Sequence, residues 1–249
     1  MRFQFKKIAT IIVLCFITIS VYGQGDAIRP QLWSNLYLGW NANERFSLRN
    51  GVAYNILFSS EQPWSEITIS STAVFKFHHF LEASAGIYYA RSKQTADIKS
   101  HEARPYIGFR ISTKSERRWM ISNLSRIELR RFISSKNQNS TSFRFRNRTY
   151  AAVALNKRRM SDVNNLVLFG YFEAFFNFGQ EVRERFFNQF KYKLGFSYRI
   201  SSRWNADAGI IYQDALNNIK EPTQLPTNII TNYVFEWGVA YIIGPRGEH

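Results

Sequence analysis

Cysteine is nearly absent from this chain of 249 residues: the single one is Cys15. It lies in the first apolar run and follows Leu14, which is too large for the small-residue position that lipoprotein processing requires. A disulfide scaffold is therefore excluded. Histidine is scarce as well, with only His78, His79, His101 and His249, and no His/Asp/Glu group has the spacing of a metal centre. Beyond Val21 there is no long apolar run. Charges interrupt every window of the ~20 residues that a spanning helix needs. Acidic residues are in deficit, 18 against 33 Lys and Arg, which leaves a formal net charge of +15.

What the chain does have begins with an amphiphilic N-terminus. Arg2, Lys6 and Lys7 precede the apolar stretch Ile8–Val21, and Val21-Tyr22-Gly23 offers small residues at a cleavage position. The pattern predicts a secretory signal peptide over 1–23 and a mature domain over 24–249; an uncleaved anchor is the alternative, but the stretch is short for a span. Removing Met1–Gly23 takes away those three basic residues and lowers the net charge from +15 to +12. A basic balance of this size suits nucleic acid, anionic lipid or acidic solutes. Export argues against nucleic acid.

Aromatic residues make up 16% of the chain, with 22 Phe, 13 Tyr and 6 Trp, and they recur with a period of two. Successive side chains of a β-strand point to opposite faces. In Ser142–Leu155 that rule puts Arg144, Arg146, Arg148 and Tyr150 on one side and Phe143, Phe145, Val153 and Leu155 on the other. The same alternation marks Gln31–Trp40, Arg45–Phe58, Glu66–Phe77, Leu81–Arg91, Glu102–Ile111, Arg118–Phe132, Phe186–Ile200, Trp204–Gln213 and Ile229–Ile243, and more weakly Asn165–Asn177. Lipid admits only helices or closed barrels. The expectation is an all-β fold, a transmembrane antiparallel up-and-down β-barrel in the outer membrane of a Gram-negative bacterium. Eleven segments can be read, joined by alternately short and long connections. Antiparallel closure with both ends in the periplasm needs an even number, so about 12 strands are expected, the extra one near Ala27–Pro30, with 10 as the alternative. The segment Gly244–His249 trails past the last strand and has no counterpart in this pattern.

Energetics orient the faces. An Arg on the lipid side near the midplane costs roughly 2–4 kcal/mol, so turning Arg144, Arg146 and Arg148 outward would cost on the order of 6–12 kcal/mol, as much as a domain's whole stability. The expected lumen network is Arg104, Arg126, Glu128, Arg130, Arg144, Arg146, Arg148, Glu173, Gln189 and Lys191, with Lys193 on the same side. In a barrel of this width, interleaved Arg and Glu would knit the interior together. Glu128, flanked by Arg126 and Arg130, reads as a salt-bridged structural residue.

Several of these residues fall in a recognisable pattern. Trp33, Glu102-Ala-Arg104-Pro105, Arg126-Ile-Glu128-Leu-Arg130, Arg144-Phe-Arg146-Asn-Arg148, Glu173 with Asn177, and Phe187-Asn188-Gln189 followed by Gly195 and Tyr198 run in order over nearly the whole mature chain. In these motifs the chain resembles the bacterial outer-membrane barrels catalogued as domain of unknown function 2490. Lys191 departs from that pattern, which tends to have Arg there, so a bidentate contact at this position does not carry over. The resemblance implies location and fold, and no activity.

Three functional readings follow. The leading one is a structural or interaction barrel whose lumen is filled by its own ion pairs. The second is a small anion-selective channel or uptake barrel for anionic or amphipathic solutes, because guanidinium forks bind carboxylate and phosphate. The third is a lipid hydrolase. It would need a Ser, a His base and an orienting group in contact, and His101 beside Glu102 is the one candidate base, with no Ser two positions away. No catalytic residue, metal or cofactor is assigned. Expected partners are outer-membrane lipids, lipopolysaccharide included, and for the second reading a small anionic solute; the basic residues Lys93, Lys99, Arg183 and Arg185 read first as solvated loops and alternatively as contacts for anionic headgroups.

Overall fold

The structure is a computed structural model that describes residues 30–58, 64–93, 98–113, 117–134, 139–179, 187–216 and 229–244. Eleven strands follow one another: β1 (Gln31–Asn41), β2 (Phe46–Leu57), β3 (Ser65–His78), β4 (Leu81–Lys93), β5 (Lys99–Ser112), β6 (Trp119–Ser134), β7 (Ser140–Ala154), β8 (Asn165–Gly179), β9 (Phe187–Arg199), β10 (Trp204–Leu216) and β11 (Ile229–Ile243). They close into one barrel, each strand hydrogen-bonded to its sequence neighbours and β1 to β11. Among the described residues no helix is long and apolar enough to cross a membrane.

Among the described residues the strands number eleven, where 12 or 10 were expected. Parity demands an even number only if every pair is antiparallel. Here β1 and β11 pair in parallel, from Gln31 beside Val234 to Trp40 beside Ile243, while β1 pairs antiparallel with β2. Both edges of β1 are thereby used, and no strand can enter between them. Of the proposed extra strand, 27–29 lie outside the described residues and Pro30 carries no strand structure. The signal peptide and the tail beyond Gly244 also lie outside the described residues.

The period-two faces fall as the charges require. Leu36, Ile69, Ile107 and Leu194 point outward and are 55–64% exposed. Pro105 interrupts the β5–β6 ladder, which skips from Ala103–Arg131 to Tyr106–Glu128, because proline has no N–H to give. Small residues make room inside: a Cβ on Gly86 would come within 2.6 Å of the Tyr106 hydroxyl, and that ring, bonded to Thr72, occupies the space.

The connections at one end of the barrel, 42–45, 79–80 and 200–203, are short, and β1 and β11 both start at the other end. The connection 155–164 at this same end is longer than its neighbours. It folds back on the lumen mouth, where Met160 packs against Ala152, Val167 and Phe169. Asn165, fully buried, donates to the carbonyls of Arg159 (3.0 Å) and Met160 (3.4 Å). The chain re-enters β8 through Asn164 at φ 56°.

Candidate functional site

The site is the lumen between β5 and β11. Three carboxylates organise it. Glu102 accepts two guanidinium forks: Arg130 through Nε at 2.6 Å and Nη2 at 3.1 Å, and Arg104 at 2.9 and 2.6 Å. Glu128 is bonded by Arg144 Nε at 2.7 Å, and Arg146, Arg126 and Arg104 stand 3.5, 3.7 and 3.8 Å away. Glu173 accepts Arg148 at 2.9 and 3.1 Å and, through Oε1, Arg146. Arg104 and Arg146 each reach two carboxylates. The result is one continuous chain of charge running Arg130–Glu102–Arg104–Glu128–Arg146–Glu173–Arg148 across β5, β6, β7 and β8.

Strand register explains these partners. Side chains directly opposite, or diagonal by two, are within reach across a sheet. Glu128 faces Arg144, Arg148 faces Glu173, and Arg126 faces Arg146. That last like-charge pair is held together by Glu128 beside both. The flanking-residue reading of Glu128 is half right. Arg126 is near it, but Arg130 turns to Glu102 on the neighbouring strand.

Aromatic faces line the remaining guanidinium surface. Arg104 lies over Tyr88 at 4.3 Å, Arg126 over Tyr106 at 4.1 Å and Arg148 over Tyr171 at 4.3 Å. Such stacking is worth about 0.5–2 kcal/mol each, more when water is excluded. A second cluster joins Lys193 Nζ to Glu236 at 2.7 Å and Asp207 at 3.7 Å. Near the short-turn end, Arg110 meets Glu82 at 2.8 Å.

Nine of the ten residues expected in the lumen therefore come together there. Gln189 is on β9 at a register shift, where the partners of β10 jump from Phe190 to Asn188; its side chain lies outside the described residues. Sequence reasoning left Glu102, Asp207 and Glu236 out of the site, while Lys193, placed on the lumen side, is found there. All three omitted residues have the inward parity of their strands, which was the available signal. His101 takes the outward parity, and its Nδ1 is 2.7 Å from the Tyr89 hydroxyl, so His101 and Glu102 face opposite sides of the wall. Lys93 and Lys99 sit opposite each other at the ends of β4 and β5, whereas Arg183, Arg185 and His249 are outside the described residues. Among those described, no group of three His, Cys, Asp or Glu could hold a metal ion.

A cavity of about 240 Å³ adjoins the network. Trp33, Tyr37, Phe175 and Lys191 contribute to its wall, with Arg144, Arg146 and Arg148 behind them. At the long-loop end the inward side chains are buried: Gln31, Ser100, Phe132, Gln213 and Asn232 are at most 3% exposed. Toward the short turns Tyr37, although it faces inward, is 45% exposed. Inward side chains at the short-turn end, Ser47, Val74, Ala154 and Asn165 among them, are buried as well.

Comparison with known proteins assigns a family. The chain belongs to the family described as protein of unknown function (DUF2490), which matches residues 29–222. No curated protein matches the chain. Among solved structures, that of the porin NanC in a rhombohedral crystal form is similar, with 10% identity over 84% of this chain and 99% of that one and a TM-score of 0.43.

Proposed function

We propose that this member of the DUF2490 family is an outer-membrane barrel of a Gram-negative bacterium with a structural or interaction role, its lumen shut to through-flow by the Arg/Glu network. The carrying observation is the burial of that network: Glu128 and Glu173 are wholly inaccessible to solvent and Glu102 and Arg130 nearly so. Carboxylates are taken out of water only where several charge-assisted hydrogen bonds replace it, and a pathway for hydrated ions would have to part those bonds. Membrane residence is supported by the outward band, in which large apolar side chains on every strand from β1 to β11 stand exposed, far beyond the few-hundred-Å² patches of soluble monomers. Its partners on that face are lipids, with lipopolysaccharide at the rim. No catalytic role is assigned.

A second reading, the anion-selective channel, has one observation in its favour: six Arg serve three Glu in the network. Planar-bilayer recording separates the two. The closed barrel gives no steady current at high protein load. An anion-selective current abolished by Arg146→Ala would replace it with the channel.

A further inference from the structure

Lys191 is a cation of the cavity wall itself. It projects from β9 into the cavity, its Nζ 4.5 Å from the Trp33 ring centre and 5.6 Å from that of Phe175. No described carboxylate lies within ion-pairing distance of it. Glu173 is its cross-strand partner in the ladder, yet both oxygens of Glu173 are taken by Arg148, with Arg146 on one of them. The other two carboxylates on the cavity wall are engaged as well: Glu236 with Lys193 and Asn35, and Glu66 with Tyr88 and Asn55. Around the same Phe175 ring stand two more cations, Arg144 at 5.1 Å and Arg146 at 5.4 Å.

We infer that this cavity is a binding site for a small organic anion, a carboxylate or phosphate that sits between the Lys191 ammonium and the Trp33 and Phe175 rings. An ammonium carries three donors and no acceptor, and an aromatic face satisfies its charge only in part. A bound carboxylate or phosphate supplies the missing acceptor and lowers the mutual repulsion of three cations gathered on one ring. The volume sets the size. About 240 Å³ far exceeds the about 10–15 Å³ that one water needs and falls just short of the roughly 300–1,000 Å³ of pockets for drug-sized ligands. The site needs no flow through the barrel, so it goes beyond the closed-lumen reading and stands independently of it.

The test uses the full chain, purified in detergent, titrated with inorganic phosphate and separately with acetate, by calorimetry and by indole fluorescence. Saturable binding of at least one probe is expected, weakened about tenfold or more in Lys191→Met, close to the ~1.4 kcal/mol such a ratio represents, and kept in Lys191→Arg. In Trp33→Phe/Trp64→Phe, which removes both tryptophans of the cavity wall, the calorimetric signal should persist while the fluorescence change is lost. Wild-type titrations that show only heats of dilution with both probes overturn the inference. So does undiminished binding in a folded Lys191→Met barrel. Should Lys191→Met fail to fold, Trp33→Phe/Trp64→Phe decides alone: a fluorescence change that survives the loss of both cavity tryptophans places the anion elsewhere and overturns the site. A dry titration in a non-conducting barrel sinks this inference only, and conduction with binding intact sinks only the closed lumen.

Discussion

Glu102 and Glu82 lie on neighbouring strands and both pair with arginine, yet their surroundings predict opposite energetics. Glu102 is buried and answers two guanidinium forks. Removing it strands Arg104 and Arg130 in a low-dielectric interior, and breaking a buried pair this way costs about 3–5 kcal/mol. The Arg110 side chain opposite Glu82 is 39% exposed, and exposed pairs are worth about 0–1 kcal/mol. Glu102→Ala should therefore lower the urea midpoint of the liposome-folded barrel far more than Glu82→Ala; equal shifts would mean that the network does not hold the lumen together. Membership of the lumen was legible from parity for both residues. The identity of the partner was not, because it depends on register between strands. The sequence places Arg126 and Arg130 beside Glu128, but the ladder brings Arg144, fourteen residues or more further along the chain, against it.

Strands carry a two-residue period that survives any reasonable boundary error, and for that reason all eleven were readable to within a few residues. Connections carry no such period. The stretch 155–164 has turn-forming and basic residues that read as a solvated link, and nothing in its composition signals that Met160 will turn inward onto Phe169. Two asparagines fix that path. Asn165 satisfies two carbonyls from a fully buried position, and Asn164 holds a left-handed backbone conformation. Asn165→Ala removes the donor to both carbonyls, leaving that of Arg159 with only the Asp162 amide, and should cost about 1–3 kcal/mol. Asn164→Gly should be neutral or slightly stabilising, whereas Asn164→Val, which resists positive φ, should cost about 1–3 kcal/mol. Thermal unfolding of the three variants checks the order, and a Val variant as stable as the Gly one would show that the turn takes another path.

For the whole molecule, the environment of the outer wall decides what an outward charge costs. Ile107, in the middle of β5, is 56% exposed. If that face meets water, Ile107→Arg changes stability by no more than about 0.5 kcal/mol; against lipid near the midplane it costs about 2–4 kcal/mol. Folding titrations in liposomes therefore read the location of the wall directly, and a shift near zero would remove the barrel from the bilayer. Closure poses the remaining question at this scale. Antiparallel logic asked for an even number of strands, and the parallel β1–β11 pair removes that demand. A parallel pair is slightly weaker per residue than an antiparallel one, but it completes the wall and leaves no open edge for another chain to join. The seam can be tested by chemistry that responds only to distance. Leu36 and Val239 are register partners on the outer face, and neighbouring strands lie about 4.7–4.9 Å apart, inside the about 4.4–6.8 Å window for Cα atoms joined by a disulfide. The double variant Leu36→Cys/Val239→Cys should cross-link on mild oxidation and shift its mobility on unreduced gels. Leu36→Cys/Phe235→Cys, displaced along β11 by four residues at about 3.3 Å each, should not. A strand inserted between β1 and β11 would double the spacing and abolish the first cross-link, so its formation distinguishes an eleven-strand barrel from one of 12.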